Sequence, residues 1–182
     1  MTEKTLATRM IFQGRALRIE VLDIELPGGR RSTREVVRHS GAVVVLAERP
    51  DGCFVLVRQY RTAVGETLLE MVAGGLEPGE QPENAARREL EEESGYVVES
   101  LRPLGVIVPC PGYSEERLHL FHARVGLQPG ATRPDFDEQV EAVIMTRGEI
   151  EAAISNGELK DAKSIAIWHL ANRKPENDRQ TK

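Results

Sequence analysis

Apolar and polar residues alternate along the N-terminal part of the chain. Residues 16–26 read ALRIEVLDIEL, which has the two-residue period of a half-buried β-strand. The segment PGGRR then supplies turn residues, and apolar positions resume in TREVVRHS. This pattern predicts a hairpin-like antiparallel β unit, which we place at residues 1–40.

A second group of apolar segments predicts a buried β-sheet. GAVVVLAE at 41–48 and CFVLVRQY at 53–60 are nearly continuous apolar runs across the turn RPDG, which favours two paired strands. LLEMVAGG follows as a short apolar segment that ends in two glycines. Further strands are predicted at 101–108, 117–125 and 140–146.

Helical spacing appears in three segments. The first, PENAARRELEEES, begins at Pro82, which suits the first position of a helix, and Gly95 suits the left-handed position that ends one. Two amphipathic helices are predicted near 147–155 and 161–172. Strands and helices together predict an α+β fold in which helices pack on a mixed sheet.

Length and composition fit one globular domain, and nothing in them requires a second. The chain has 182 residues, of which 40% are hydrophobic and 29% charged, enough for a sizeable core. We expect the main domain to span residues 41–172, and the polar segment 173–182 to be a flexible tail. The net charge of -5 argues against a nucleic-acid partner, because a sequence-independent binder needs a basic surface.

Cysteine usage and hydropathy bear on the cellular setting. Cys53 and Cys110 are the only cysteines, too few for a disulfide framework or a structural zinc site. The first residues lack the apolar core of a signal peptide, and no run approaches the roughly 20 apolar residues of a membrane span. We therefore expect a cytoplasmic protein with no membrane partner.

The first predicted helix carries an acidic face. At 100° per residue, Glu89, Glu92 and Glu93 lie within an arc of about 100°, while Glu91 points away. Like charges this close repel, so they take up a proton or bind a cation. Oxygen-only ligands of this kind suit Mg²⁺ or Mn²⁺ rather than zinc.

An acidic run is usually a solvated helix face, but its sequence context here is distinctive. Gly74, Glu80 and the run RELEEESGY at 88–96 reproduce every fixed position of the Nudix box. Seven fixed residues match by chance at about one in 10⁸ starting points. The chain therefore resembles the Nudix hydrolases, and Ala86 and Leu90 are expected to seat the helix on the sheet.

The resemblance implies the Nudix fold, a mixed sheet packed between helices, and hydrolysis of a nucleoside diphosphate linked to another moiety. It implies that Glu89 and Glu93 are the principal metal ligands. Glu92 would be a further ligand or part of the same acidic cluster, and the Ala73 carbonyl another ligand. Arg88 would orient the glutamates for catalysis, and the cofactor would be Mg²⁺, with Mn²⁺ as a substitute.

Segments outside the box resemble the ADP-ribose pyrophosphatase subfamily. They are VRQYR at 57–61, LLEMVAGGLEPGE at 68–80, PCPGYSEERLHLF at 109–121 and DAKSIAIWHL at 161–170. The resemblance implies conversion of ADP-ribose to AMP and ribose 5-phosphate. GDP-mannose or another nucleotide sugar is the alternative substrate. A sensor that binds ADP-ribose without cleaving it is the alternative of another class, which the intact acidic positions of the box disfavour.

Four residues are candidates for substrate binding. Arg61 would reach a phosphate, since an arginine fork matches phosphate geometry, or it is a solvated charge at a strand end. Arg34 and Glu35 resemble positions that approach the adenine in ADP-ribose hydrolases, or they form a cross-strand ion pair. Pro111 lies where these hydrolases carry a proline, and the adjacent Gly112 is assigned to the same substrate loop.

The catalytic base and the oligomeric state complete the expectations. The resemblance implies a base on a late loop; in DFDEQVEA at 135–142 we choose Glu138, with Asp137 and Glu141 still open. Glu141 is alternatively a strand residue. Because a two-stranded unit is marginally stable alone, we expect residues 8–39 to pack against or exchange with a second subunit. The resemblance also implies this homodimer; a monomer whose hairpin caps its own sheet is the alternative.

Overall fold

The computed structural model describes residues 2–15, 17–131 and 139–173, and these form two sheets and three helices. The strands are β1 (Lys4–Gln13), β2 (Arg18–Glu25), β3 (Arg31–Arg38), β4 (Ala42–Glu48), β5 (Phe54–Arg61), β6 (Glu66–Gly75), β7 (Val98–Ile107), β8 (Leu118–Val125) and β9 (Val140–Met145). The helices are α1 (Pro82–Ser94), α2 (Arg147–Asn156) and α3 (Ala162–Ala171). No helix of the described residues is long and apolar enough to cross a membrane.

The predicted helices and most predicted strands lie within a few residues of their expected positions. Helix α1 spans Pro82–Ser94, and Gly95, which follows it, has a φ of 74°, the left-handed conformation expected there. Helix α2 begins with a capping box, in which the side chains and backbone N–H groups of Thr146 and Glu149 bond reciprocally. Of the predicted tail at 173–182, all but Arg173 lies outside the described residues.

The N-terminal unit is a three-stranded antiparallel sheet in the order β1-β2-β3, so the predicted hairpin was incomplete. Strand β1 was not predicted, for two physical reasons. Every residue of β1 is exposed, so no buried face imposes a two-residue period on its sequence. Its register also shifts between Thr5 and Ala7 and between Met10 and Phe12, which interrupts the alternation further.

The main sheet has the order β7-β8-β4-β6-β5-β9, and the parallel pairing of β4 with β8 makes it mixed. The prediction that β4 and β5 form a pair holds only beside their turn, at Ala47 with Val55 and Glu48 with Phe54. Beyond that point the two strands diverge, and β6 enters between them. A strand that follows a hairpin in sequence can insert between the two strands of that hairpin, and the local pattern of apolar residues does not predict this.

Helices cover both faces of this sheet, as predicted. Ala86 and Leu90 of α1 are fully buried in one core cluster, which confirms their predicted role in seating the helix. Burying a leucine side chain contributes about 1.5–3 kcal/mol. The opposite face packs on α2 and α3, where Phe54 and Trp168 meet edge to face with ring centroids 5.1 Å apart. Helix α1 is thereby fixed on the sheet with its acidic side near β6.

Candidate active site

Arg88 is the centre of a hydrogen-bonded cluster on α1. Its Nε and Nη2 atoms donate to the two carboxylate oxygens of Glu80 over 3.0 and 2.9 Å. Its Nη1 atom donates to Glu89 over 2.7 Å and to Glu92 over 3.1 Å, and Nη2 also donates to the Gly75 carbonyl over 3.1 Å. One guanidinium therefore joins three glutamates to the end of β6, as an orienting residue would.

The ionisation of Glu80 follows from this cluster. The hydrogen bonds from Arg88 lower the pKa of Glu80, and they raise the pKa of Arg88 itself. Glu80 is only 14% exposed in its side chain, so its charge is held close to the guanidinium. Glu80, a fixed glutamate of the box, thus binds Arg88, which in turn donates hydrogen bonds to Glu89 and Glu92.

Gly74 explains how Glu89 reaches the sheet. A Cβ atom at Gly74 would lie 1.9 Å from Cδ of Glu89, far inside contact distance. The Glu89 carboxylate therefore packs directly on the backbone of β6, beside Ala73. Gly74 does not have a positive φ angle, so a glycine is required here for space and not for its backbone conformation.

The remaining acidic positions of α1 differ in burial. Glu93 is 4% exposed, Glu92 keeps 38% of its side chain exposed, and Glu91 is exposed on the far side as predicted. As placed, no three carboxylate, imidazole or thiolate groups among the described residues converge on one point. The donor set is nevertheless all oxygen, which suits a hard divalent cation.

Arg61 lies at the end of β5, where it is partly exposed and paired with Glu70. Its Nε and Nη2 atoms donate to both oxygens of Glu70 over 2.8 and 2.7 Å. Glu70 is 1% exposed and also pairs with Lys163, which pairs with Asp161. We did not identify Glu70, Lys163 or Asp161 from sequence. A charged residue inside the apolar run LLEMV was the available signal, since buried charges require partners.

Arg34 and Glu35 lie on β3 in the N-terminal sheet. Arg34 pairs with Glu3 and donates over 3.0 Å to the Thr33 carbonyl, so its described polar contacts stay within this sheet. Glu35 is exposed and lies opposite Val21 in the register of β2 and β3. Within the described part of one chain, neither residue bonds to the box.

The loop that contains Gly112 is tied to the end of β3. The Val37 N–H donates to the Tyr113 carbonyl over 2.7 Å, and the Glu115 N–H donates to the Val37 carbonyl over 3.2 Å. Gly112 is exposed at the tip of this loop. The adjacent Pro111 lines a cavity of about 500 Å³, together with His39, Ser40, Gly41, Val108, Ser114, Glu115, Arg117 and His119. The loop thus connects the end of β3, in the N-terminal sheet, to the cavity beside the start of β4.

The candidates for the base separate into two groups. Glu138 and Asp137 lie outside the described residues. Glu141 is a residue of β9 and pairs with Arg58, whose neighbour Val57 belongs to the cluster under α1. Because adjacent residues of a strand point to opposite faces, Glu141 lies on the face away from α1.

Comparison with known proteins agrees with the box and the fold. The family model of the NUDIX domain matches residues 37–166. Over 172 residues and 93% of both chains, the sequence is 39% identical to an ADP-ribose pyrophosphatase of Bacillus subtilis (strain 168). It is 40% identical over 170 residues, 92% of each chain, to a methanol dehydrogenase activator of Bacillus methanolicus.

Two further matches are similar in sequence or in fold. A GDP-mannose pyrophosphatase of Yersinia enterocolitica is 36% identical over 147 residues, which is 76% of each chain. A crystal structure of an ADP compounds hydrolase superposes with a TM-score of 0.81 at 23% identity, and covers 94% of this chain and 92% of that one. The chain belongs to the Nudix family. This confirms the predicted α+β Nudix fold and the predicted class of enzyme, a Nudix hydrolase.

Proposed function

We propose that this Nudix hydrolase cleaves the diphosphate of ADP-ribose and releases AMP and ribose 5-phosphate. The observation that carries the proposal is the arrangement of α1, in which Arg88 orients Glu89 and Glu92 while Glu89 packs on β6 at Gly74. The substrate is inferred from the ADP-ribose pyrophosphatase that aligns over 93% of the chain.

The metal would be held by the acidic side of α1 and the adjoining end of β6. Glu89 and Glu93 would be the principal ligands, with Glu92 and the Ala73 carbonyl completing the protein's share. Mg²⁺, or Mn²⁺ in its place, would stabilise negative charge on the diphosphate oxygens. Arg88 would contribute by holding Glu89 and Glu92 through its hydrogen bonds, so these carboxylates would need little reorganisation when a metal binds.

Glu138 is proposed as the base that takes a proton from the attacking water. The water oxygen bonds to one phosphorus as the bridging P–O bond breaks, so each product keeps one phosphate. Val140, two residues later, packs against the core cluster that contains α1, so the chain enters β9 beside the box helix. Glu141 lies on the other face of the sheet, which favours Glu138 and leaves Asp137 as the second candidate.

Substrate binding is assigned to Arg61, Arg34, Glu35 and Gly112. Arg61 would donate to a phosphate of the diphosphate. Gly112 would approach the substrate through the loop whose neighbouring Pro111 lines the 500 Å³ cavity. Arg34 and Glu35 are proposed to contact the adenine across a subunit boundary, because both lie on β3 and the described polar contacts of Arg34 stay within the N-terminal sheet.

A homodimer would supply that boundary. Residues Met10, Ile11 and Phe12 in β1 are 47%, 57% and 53% exposed, a concentration of apolar surface on one edge strand. Edge strands with apolar side chains are covered in most proteins. We propose that residues 1–40 are the dimerising unit and residues 41–172 the hydrolase domain. The alternative is a monomer, which light scattering would distinguish from the dimer.

GDP-mannose is the second candidate substrate, because a GDP-mannose pyrophosphatase aligns at 36% identity. The test is a panel of ADP-ribose, ADP-glucose, GDP-mannose, NADH and diadenosine polyphosphates, assayed with and without Mg²⁺ and with Mn²⁺. Products formed in ¹⁸O-labelled water identify the attacked phosphorus. The proposal expects the highest kcat/KM for ADP-ribose with the metal present. A higher value for GDP-mannose would replace it, and binding of ADP-ribose without any turnover would favour a sensor.

A further inference from the structure

Glu70 is a charged residue inside the main sheet. It is 1% exposed in the middle of β6, where its neighbours Leu69 and Met71 belong to the hydrophobic core. Burial alone raises the pKa of a carboxyl group, but the hydrogen bonds and charges of Arg61 and Lys163 leave the pKa of Glu70 lowered overall. The carboxylate is therefore held in its charged form by two cations, one from β5 and one from α3.

The first turn of α3 is attached to the same part of β6. Asp161 caps α3 by accepting the Ser164 N–H over 3.0 Å, and it pairs with Lys163 over 3.0 Å. The Ser164 hydroxyl accepts the Met71 N–H over 2.8 Å. Strand β4 pairs with β6 only from Val72 onward, so α3 occupies the position where β4 has diverged. Asp161 and Ser164, which lie on either side of Lys163 in the chain, thus hold Lys163 beside Glu70.

Arg61 extends this network towards the box. Val57 lies under α1, and alternate residues of a strand share a face, so Arg61 lies on the α1 side of β5. Glu70 pairs with Val57 in the register of β5 and β6 and lies on that side too. The pKa of Arg61 is raised, mainly by its hydrogen bond to Glu70. The negative charge of Glu93 raises it by a smaller amount.

One edge of the Arg61 guanidinium is thereby fixed while the other is left for a ligand. Nε and Nη2 are used by Glu70, and Nη1 makes no hydrogen bond to any residue that the structure describes. The side chain keeps 34% of its surface exposed, so an anion can reach it. Because the ion pair already fixes the guanidinium, little further rotational freedom is lost when it binds a phosphate.

We propose that Glu70, Lys163 and Asp161 form a brace of positioning residues that hold Arg61 ready to bind the diphosphate of the substrate. The brace rests on the proposed function in one respect, since Arg61 is the proposed phosphate-binding residue. It assigns to the first turn of α3 a role in substrate binding through β6. A merely stabilising ion pair is the competing explanation, although buried pairs are poor sources of stability.

A double-mutant cycle tests whether Glu70 acts through Arg61. We expect Arg61→Ala to raise the KM about 30-fold and Glu70→Gln about 10-fold, with little change in kcat. The double variant should stay near 30-fold, because Glu70 has nothing to position once Arg61 is gone. An independent product of about 300-fold would overturn the proposal. Glu158→Gln is the matched control: it removes an exposed glutamate that pairs with another arginine of β5, Arg58, over 2.7 Å.

Lys163→Met tests the outer part of the brace and leaves the pair of Arg61 and Glu70 in place. We expect about 5-fold weaker calorimetric binding of a methylene-bridged ADP-ribose analogue, which is not hydrolysed. Lys160→Met is the control, because Lys160 pairs over 2.7 Å with Glu66 at the exposed start of β6. Equal weakening by both variants, or unchanged binding in Lys163→Met with a lowered melting temperature, would show a structural role only.

The tests of the brace can fail or succeed independently of the assignment of ADP-ribose as the substrate. If the panel identifies another nucleoside diphosphate as the best substrate, the cycle is run on that substrate and on its methylene analogue. The assignment of ADP-ribose then fails while the brace is still tested. Should Glu70→Gln not fold, Lys163→Met and its control decide the question, since Lys163 is a partly exposed residue whose loss keeps Glu70 paired.

Discussion

At the scale of single residues, the acidic side of α1 combines buried and exposed carboxylates that differ in what their loss should do. Glu93 is 4% exposed on the side of the sheet, and Glu91 is exposed on the opposite side of the same helix. Replacing either by glutamine removes a charge and keeps the shape. The two substitutions therefore separate a metal ligand from an acidic residue that serves only the surface.

We expect Glu93→Gln to lower kcat by more than about 100-fold with Mg²⁺ present, because it removes the charge of a proposed ligand. Its melting temperature should stay close to that of the parent. Glu91→Gln should retain the parental rate. Activity of Glu93→Gln within about 10-fold of the parent, some 1.4 kcal/mol of barrier, would contradict the assignment.

Gly74 allows a sharper test, since Gly75 beside it is a natural control. A Cβ at Gly74 would stand 1.9 Å from Cδ of Glu89, whereas a Cβ at Gly75 meets nothing within 4 Å. We expect Gly74→Ala to displace Glu89 and to lower both kcat and the apparent Mg²⁺ affinity at least about 10-fold. Gly75→Ala should change neither; equal effects of the two substitutions would mean that Glu89 does not depend on this space.

His122 is expected to make stability depend on pH. Burial lowers the pKa of His122 below its usual 6.5, although Glu48 acts in the opposite direction from 2.8 Å away. The unfolded chain therefore binds this proton more readily than the folded protein. The stabilisation that neutral, buried His122 contributes is fully present above pH 6.5, the usual pKa of a histidine. It is lost as the pH falls through 6.5 towards the lower pKa that His122 has in the folded protein.

The measurement is the free energy of unfolding from urea titrations between about pH 8 and pH 5. Relative to the parent, His122→Gln should show a smaller decrease of stability over this window. His169, the histidine in the last turn of α3, provides a control as His169→Gln. A parental pH dependence in His122→Gln would exclude His122 as its source.

At the scale of elements, the sequence determined α1 well because its signals are local and independent. Pro82, the apolar positions Ala86 and Leu90, and Gly95 all indicate the same helix, and the box residues lie within it. Strand β1 lacked such signals because both of its faces are exposed. The entry of β6 between β4 and β5 was equally invisible, since it depends on pairings between segments and not on any one pattern.

The same distinction holds for the site. Glu89, Glu92 and Glu93 could be predicted to share a side from the helical period alone. The supporting contacts could not, because Arg61 and Lys163 meet Glu70 from elements that are far apart in the sequence. The ion pair of Arg34 with Glu3 likewise depends on where β1 begins, one residue after Glu3, and the sequence pattern did not indicate β1.

At the scale of the whole molecule, the exposed apolar residues of β1 determine the expected assembly. We expect the parent to scatter light as a dimer at micromolar concentration, and Phe12→Lys to shift it towards the monomer, because a charge would be buried at the interface. Gln13→Lys adds the same charge beside it without removing an apolar side chain, and should remain dimeric. A monomeric parent would refute the dimer.

A second experiment tests whether the N-terminal sheet contributes to binding of the nucleoside. Deletion of residues 1–39 should give a monomer with weakened affinity for ADP-ribose, because Arg34 and Glu35 are removed with the interface. A soluble truncated protein that keeps full affinity would show that the N-terminal sheet has no part in binding the nucleoside. Titration of ADP-ribose into both proteins by calorimetry makes this comparison.

The parallel pairing of β4 with β8 constrains how the chain reaches this structure. Ala42 pairs with Leu118 and Glu48 with Arg124, so β4 and β8 cannot pair until the long segment between them has been made. The N-terminal sheet has no such requirement, because β1, β2 and β3 are neighbours in sequence. During synthesis this sheet is therefore expected to form first, and the main sheet only after residue 125 leaves the ribosome. Until then β4, whose central residues are all buried in the finished protein, exposes an apolar strand that chaperones would recognise.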